Sequence, residues 1–217
     1  MNSNLLADAG GTAHWRERLG PDAVILRGLA APQTEALVAK IRQIVAESPF
    51  RHMETPGGFR MSVAMSNCGA LGWVTNKAGY RYQALDPESA HPWPPMPALF
   101  RQLAADAAAQ AGFADFVPDA CLINRYEAGA RMSLHQDRDE RDLTQPIVSV
   151  SLGLPAVFQF GGLKRSDPVN RVTLTHGDVV VWGGVDRLRY HGVLALKAGE
   201  HPLLGACRLN LTFRKAV

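Results

Sequence analysis

Residues 23–28 (AVILRG) form an apolar run short enough for a buried strand. Downstream, Leu37, Val38, Ile41, Ile44 and Val45 recur at helical spacing between Pro32 and Pro49, which predicts one amphipathic helix. A second is predicted over about 97–112, where Leu99, Phe100, Leu103 and Ala107 share a face and Gly112 offers a stop. The stretch 51–95 between them has neither period; rich in Gly, Pro, Asn and aromatic residues, it reads as an irregular but structured surface cover. From residue 119 the texture changes to short β-prone runs separated by turn residues: CLINRY, IVSVSLG, AVFQFGG, RVTLTH, DVVVWGG and CRLNLTFR. Many short strands with two helices to cover one sheet predict a mainly β fold with flanking α, a double-stranded β-helix or jelly roll. No internal repeat or low-complexity tract interrupts it.

A chain of 217 residues, 47% hydrophobic and 20% charged, suits one domain with a substantial core, so residues 1–217 are read as a single unit. Its strand-rich core spans about 119–217 and its cover about 45–95. The net charge of +3 suits an acidic partner but does not require one. Cys68, Cys121 and Cys207 are odd in number and widely spaced, without the spacing of a disulfide framework or a thiolate metal site, which points to a reducing cytoplasm. Neither a signal-peptide pattern nor an apolar run of membrane-spanning length is present, so a soluble protein without membrane association is expected.

Chemistry enters at L-H-Q-D. In an extended segment His135 and Asp137 project to one side, and His191, just beyond the strand VVVWGG, is positioned to return to the same end of the barrel. Two imidazoles and one carboxylate with open positions opposite them are the set that binds non-heme Fe(II). An isolated H-x-D is common, and the final run RLNLTFR adds weight to it. Alternation sends Arg208, Asn210, Thr212 and Arg214 to one face and Leu209, Leu211 and Phe213 to the other. Two interior guanidiniums need counter-ions, and a dicarboxylate such as 2-oxoglutarate answers that need, held by Arg208 or Arg214. Without the metal triplet, the same strand would read as an edge with a wet outer face. Trp182 is assigned to the core.

The run from Asn124 to Glu140 (NRYEAGARMSLHQDRDE), with SVSLGLPA, FQFGG, HGDVVVWGG, RYHG and RLNLTFR, resembles the bacterial AlkB repair dioxygenases, and TPGG and MSVAMSNCG extend the resemblance into the cover. The resemblance implies that His135, Asp137 and His191 ligate iron. It also implies that Asn124, Tyr126, Arg208, Asn210 and Arg214 contact 2-oxoglutarate, with Arg208 toward the distal carboxylate and Arg214 toward the keto-acid end; Thr212 shares their face. The cover becomes a nucleotide-recognition lid carrying Trp73 and Tyr80, with Met65 in the wall of a base pocket and Asp139 meeting the exocyclic nitrogen of the base. By ordinary expectation a loop tryptophan packs and a carboxylate in DRDERD is a solvated turn. Arg51, Arg60, Lys77, Arg81, Arg131, Lys164 and Arg165 are candidates, as a group, for a phosphate-tracking surface. Arg138 and Arg187 receive no role.

The implied activity is oxidative demethylation of bases such as 1-methyladenine and 3-methylcytosine in single- or double-stranded DNA, and in RNA. Fe(II) is the cofactor and 2-oxoglutarate and O2 are cosubstrates, the products being formaldehyde, succinate and CO2, and the enzyme is expected to be a monomer. A rival keeps the chemistry but turns it on a protein or small molecule, which leaves Trp73 and the basic lid unexplained. A second rival, a nucleic-acid binder without turnover, sits poorly with a full ligand set and both arginines.

Overall fold

The computed structural model describes residues 15–217. In chain order the strands are β1 Arg16–Gly20, β2 Ala23–Leu26, β3 Ala64–Gly69, β4 Gly72–Asn76, β5 Gly79–Gln83, β6 Ala120–Tyr126 and β7 Met132–His135. They continue with β8 Ile147–Gly153, β9 Ala156–Phe160, β10 Asn170–Leu174, β11 Val179–Trp182, β12 His191–Val193 and β13 Arg208–Arg214. The helices are α1 Thr34–Glu47 and α2 Ala98–Gln110. Both helices were legible from their periodicity, and Gly112 indeed takes a left-handed φ of 94° just past α2.

A seven-stranded sheet runs β1-β2-β11-β8-β13-β6-β3 and faces a four-stranded sheet β10-β9-β12-β7; a separate hairpin pairs β4 with β5. Neighbouring strands pair antiparallel. The outer face of the large sheet, with Val148, Val150, Leu209, Leu211 and Phe213, packs against Leu37, Ile41, Phe100 and Leu103 of the two helices. Its inner face, with Ile25, Met65, Ile147, Val180 and Trp182, packs against Phe158, Phe160 and Val193 of the small sheet. This is the expected jelly roll with two helices against one sheet.

Because the large sheet is covered on both faces, β8, β11 and β13 are buried at every position. In β13 the apolar residues face the helices while Arg208, Asn210, Thr212 and Arg214 enter the space between the sheets, where only charged or hydrogen-bonded partners make such burial tolerable.

The stretch expected to be irregular holds three strands. β3 belongs to the barrel and pairs with β6 over its whole length. Its polar residues concealed it: Ser66 donates to the Ser48 carbonyl (2.6 Å), and Asn67 is exchanged both ways with the Trp73 backbone (3.0 and 3.1 Å). Side chains that bond neighbouring backbone can be fully buried, so no apolar/polar alternation survives. β1 was also not anticipated, and the strand at 23–28 stops at Leu26, two residues before Gly28 at φ 68°. Among the described residues no helix is long and apolar enough to cross a membrane.

Candidate metal centre and cosubstrate pocket

β7 ends at His135 and Asp137 lies beyond it, so the two are not neighbours on one strand as the spacing suggested. What unites the triad is register. His191 opens β12 directly opposite His135 on β7, with ring centroids 4.4 Å apart. Asp137 folds back beneath both: its carboxylate oxygens lie 3.5 Å from His135 Nε2 and 3.7 Å from His191 Nε2. One ligand atom from each of the three residues lies within 4.8 Å of the others, the one such group among the described residues.

Each imidazole is oriented by a backbone carbonyl two residues earlier in the chain. Nδ1 of His135 is 2.9 Å from the Ser133 carbonyl and Nδ1 of His191 is 3.0 Å from that of Arg189. A carbonyl only accepts, so both Nδ1 atoms carry hydrogen and both Nε2 lone pairs turn to the common centre, as ligation requires. Burial first, then the neighbouring His135, lowers the His191 imidazole to about 4, so it stays unprotonated and free to ligate. Burial opposes the Asp137 charge, but Arg214 and then the histidines outweigh it and hold the carboxyl well below its usual range. The Arg214 Nε and Nη2 donate to Oδ2 at 3.0 and 2.7 Å.

Next to this centre the interior face of β13 forms a polar pocket. Arg208 is 2% exposed and lies over the Tyr126 ring, 4.9 Å from its centroid. It donates from Nη2 to Ser151 Oγ at 2.9 Å, whereas Nε and Nη1 have no partner among the described residues. Asn124 and Asn210 face each other across the strand pair, and Thr212 donates to Asn210 Oδ1 at 3.0 Å. A buried guanidinium with idle donors is costly unless an anion completes it.

The comparisons with known proteins agree with this geometry. The sequence profile of the 2OG-Fe(II) oxygenase superfamily matches residues 22–214. The alpha-ketoglutarate-dependent dioxygenase AlkB of Escherichia coli K12 is 60% identical over 213 residues, covering 98% of this chain and 97% of its own. The chain belongs to the AlkB family of 2OG-Fe(II) oxygenases. The solved structure of OsALKBH1 superposes with a TM-score of 0.81 at 28% identity, covering 92% of this chain and all but 1% of that one. The human nucleic acid dioxygenase ALKBH1 is 35% identical over 124 residues, 57% of this chain and 31% of its own. As an AlkB-family dioxygenase the chain uses Fe(II), 2-oxoglutarate and O2. Its residues fit those groups: an open His/Asp/His set for a first-row metal, and an unsatisfied interior guanidinium for a dicarboxylate.

The β4–β5 hairpin meets the loop beyond Asp137 through Trp73 and Tyr82. Trp73 and Tyr80 stack with centroids 5.6 Å apart at 18°, and the Trp73 indole donates to Asp139 at 2.9 Å. Asp139 is thus hydrogen-bonded, and Trp73 packs in part against the inter-sheet core. Met65 is fully buried in the inter-sheet core. Arg165 is exposed, donating to the Leu134 carbonyl at 2.6 Å above the Tyr190 ring. Arg51 departs from the expected basic surface: it pairs with Asp86 at 2.7 Å and covers Trp93. Trp182 is in the core as expected, its ring edge-on to His191 at 4.9 Å.

Sequence reading missed Tyr82, Glu140 and Arg187: Glu140 and Arg187 are buried, Tyr82 is half-buried, and Glu140 bonds to both of the others. Glu140 and Arg187 sat among the charges of DRDERD and RLRYH, and their burial depends on folding that brings those two loops together; no local pattern marks it.

Proposed function

We propose that this AlkB-family enzyme removes methyl groups oxidatively from ring nitrogens of bases in DNA, 1-methyladenine and 3-methylcytosine foremost, and acts on RNA as well. The observation that carries this reading is the Trp73–Tyr80 stack, whose indole donates to Asp139 two residues beyond Asp137 of the His135/Asp137/His191 group, an aromatic surface suited to an extruded base. That the human relative is named a nucleic acid dioxygenase supports it.

In this proposal His135, Asp137 and His191 hold Fe(II). Bound together there, the metal, 2-oxoglutarate and O2 supply an oxidation that yields succinate, CO2 and an N-hydroxymethyl base, which falls apart to formaldehyde and the unmodified base. Arg208, with Tyr126 beside it, receives the distal carboxylate of the cosubstrate; Asn124, Asn210 and Thr212 line its course, and Arg214 fixes Asp137 near the keto-acid end. Trp73 and Tyr80 cover the base, Met65 backs its pocket and Asp139 accepts from its exocyclic amine. A base inside a duplex must be unstacked to enter, which favours lesions that already prevent pairing. Arg165 with Arg60, Lys77, Arg81, Arg131 and Lys164 tracks the phosphates. Residues 1–217 act as one domain and one monomer, and three free thiols suit a cytoplasmic setting.

The test is anaerobic loading with Fe(II) and 2-oxoglutarate, then air and a single-stranded oligonucleotide bearing one 1-methyladenine, followed by mass spectrometry and formaldehyde assay. Repair that needs both additions supports the reading. Succinate release without repair moves the substrate to another class, and an Asp137→Ala variant that still repairs and still binds iron sinks the ligand assignment.

A further inference from the structure

The segment that carries Asp137 leaves β7 at His135 and has no strand partner until β8 begins at Ile147, so its carbonyls need donors from elsewhere. One side chain supplies two of them. Arg187, 3% exposed and four residues before His191, donates from Nη1 to the Asp137 carbonyl at 2.6 Å and from Nε to the Gln145 carbonyl at 2.9 Å. Its Nη2 donates to Glu140 Oε2 at 3.0 Å. The other Glu140 oxygen accepts from the Tyr82 hydroxyl at 2.6 Å and lies 3.4 Å from Arg214 Nε. Two cations and two carboxylates, Arg187, Arg214, Asp137 and Glu140, thus close a buried cluster of zero net charge, with each oxygen of Glu140 facing a different neighbour.

From its Glu140 end the cluster reaches the lid hairpin through the Tyr82 hydroxyl. Tyr82 stands on β5 directly opposite Trp73 on β4. Burial first, then Glu140 and Asp137, pushes its phenol well above the ordinary range against the pull of Arg214, so it remains a donor. Lifting the hairpin withdraws that hydroxyl and returns a Glu140 oxygen to Arg214, the residue that grips the Asp137 carboxylate. We propose that Arg187 is a positioning residue for the Asp137 loop, and that Glu140 and Tyr82 extend its reach to the lid, so that a nucleotide held beneath the hairpin tightens the metal centre. By linkage the metal then tightens nucleotide binding by the same factor. The coupling rests on the nucleic-acid reading above; the role of Arg187 does not.

The experiment measures Co(II) binding by its visible absorption, with and without a methylated single-stranded oligonucleotide, whose own binding is followed by fluorescence anisotropy. Arg187→Lys keeps the charge but loses the three-acceptor fork, and is expected to weaken Co(II) roughly tenfold without oligonucleotide. Oligonucleotide is expected to tighten Co(II) severalfold in the parent protein and scarcely at all in Tyr82→Phe. Parent-like Co(II) affinity in Arg187→Lys overturns the positioning role. Parent-like tightening in Tyr82→Phe, or none in a parent that binds the strand, overturns the coupling. If Arg187→Lys fails to fold by circular dichroism, the isosteric Glu140→Gln replaces it, with severalfold weaker Co(II) expected and unchanged affinity as the overturning result. A parent that binds no oligonucleotide refutes the nucleic-acid reading, and the coupling with it, while the strand-free Co(II) titration still decides the role of Arg187.

Discussion

Arg208 is buried more deeply than almost any other side chain of its size, yet among the described residues only one of its donor groups has a partner, Ser151. Replacing it with methionine keeps the volume and removes the idle donors. With a charge-assisted bond to a carboxylate contributing roughly 1.5 to 3 kcal/mol, Arg208→Met should raise the KM for 2-oxoglutarate about ten- to hundredfold. Steady-state succinate release checks this; an unchanged KM would remove Arg208 from the cosubstrate pocket. At this scale the sequence was informative where chemistry and period coincide. RLNLTFR announced which four residues face inward, because a strand admits only two faces. It said nothing of Ser151, because this partner comes from another strand whose register is set by packing of the whole sheet.

Among the elements, α1 and α2 were readable because each presents one apolar stripe to one surface. The longer strands were readable as apolar runs. β12 was not, since three residues carry no period, and its importance lies in placing His191 across from His135. β3 failed for the opposite reason: buried on both faces, it looks like neither an alternating strand nor an apolar one. The β4–β5 hairpin, by contrast, stands apart from both sheets and is anchored by Asn67 at Trp73 and by the Trp93 indole on the Gln83 carbonyl at 2.9 Å. Gly72 is required at its start, where a Cβ would come within 2.3 Å of the Trp93 ring. Trp73→Ala leaves those anchors in place but removes the aromatic surface. Stacking on a base contributes about 1 to 3 kcal/mol, so affinity for a methylated oligonucleotide should fall about five- to hundredfold in an anisotropy titration.

For the molecule as a whole, acidity bears on the barrel away from the metal. His176 accepts from the Gly153 amide through Nδ1 at 2.9 Å, and its ring lies 4.3 Å from that of His201. Burial, then His201, lowers the His176 imidazole below its ordinary value. The unfolded chain therefore takes up this proton more readily than the folded one. The stability it reflects is whole above about pH 6.5 and declines as pH falls through that value toward the lowered one. His176→Asn retains an acceptor for Gly153 but does not titrate, so its melting temperature should fall less than the parent's between about pH 7.5 and about pH 5.5. Equal losses would place the acid sensitivity elsewhere. Gly153 pairs with Arg208, so the same contact secures the end of β13.

That strand is the last of the thirteen among the described residues yet lies between β8 and β6, near the middle of the large sheet. While the ribosome is still upstream of residue 208, β8 and β6 each lack a neighbour, and two apolar edges wait exposed. Growing chains of this protein should therefore depend on chaperone protection until residues 208–214 have emerged, and their pairing then closes the sheet and creates the cosubstrate pocket in one step.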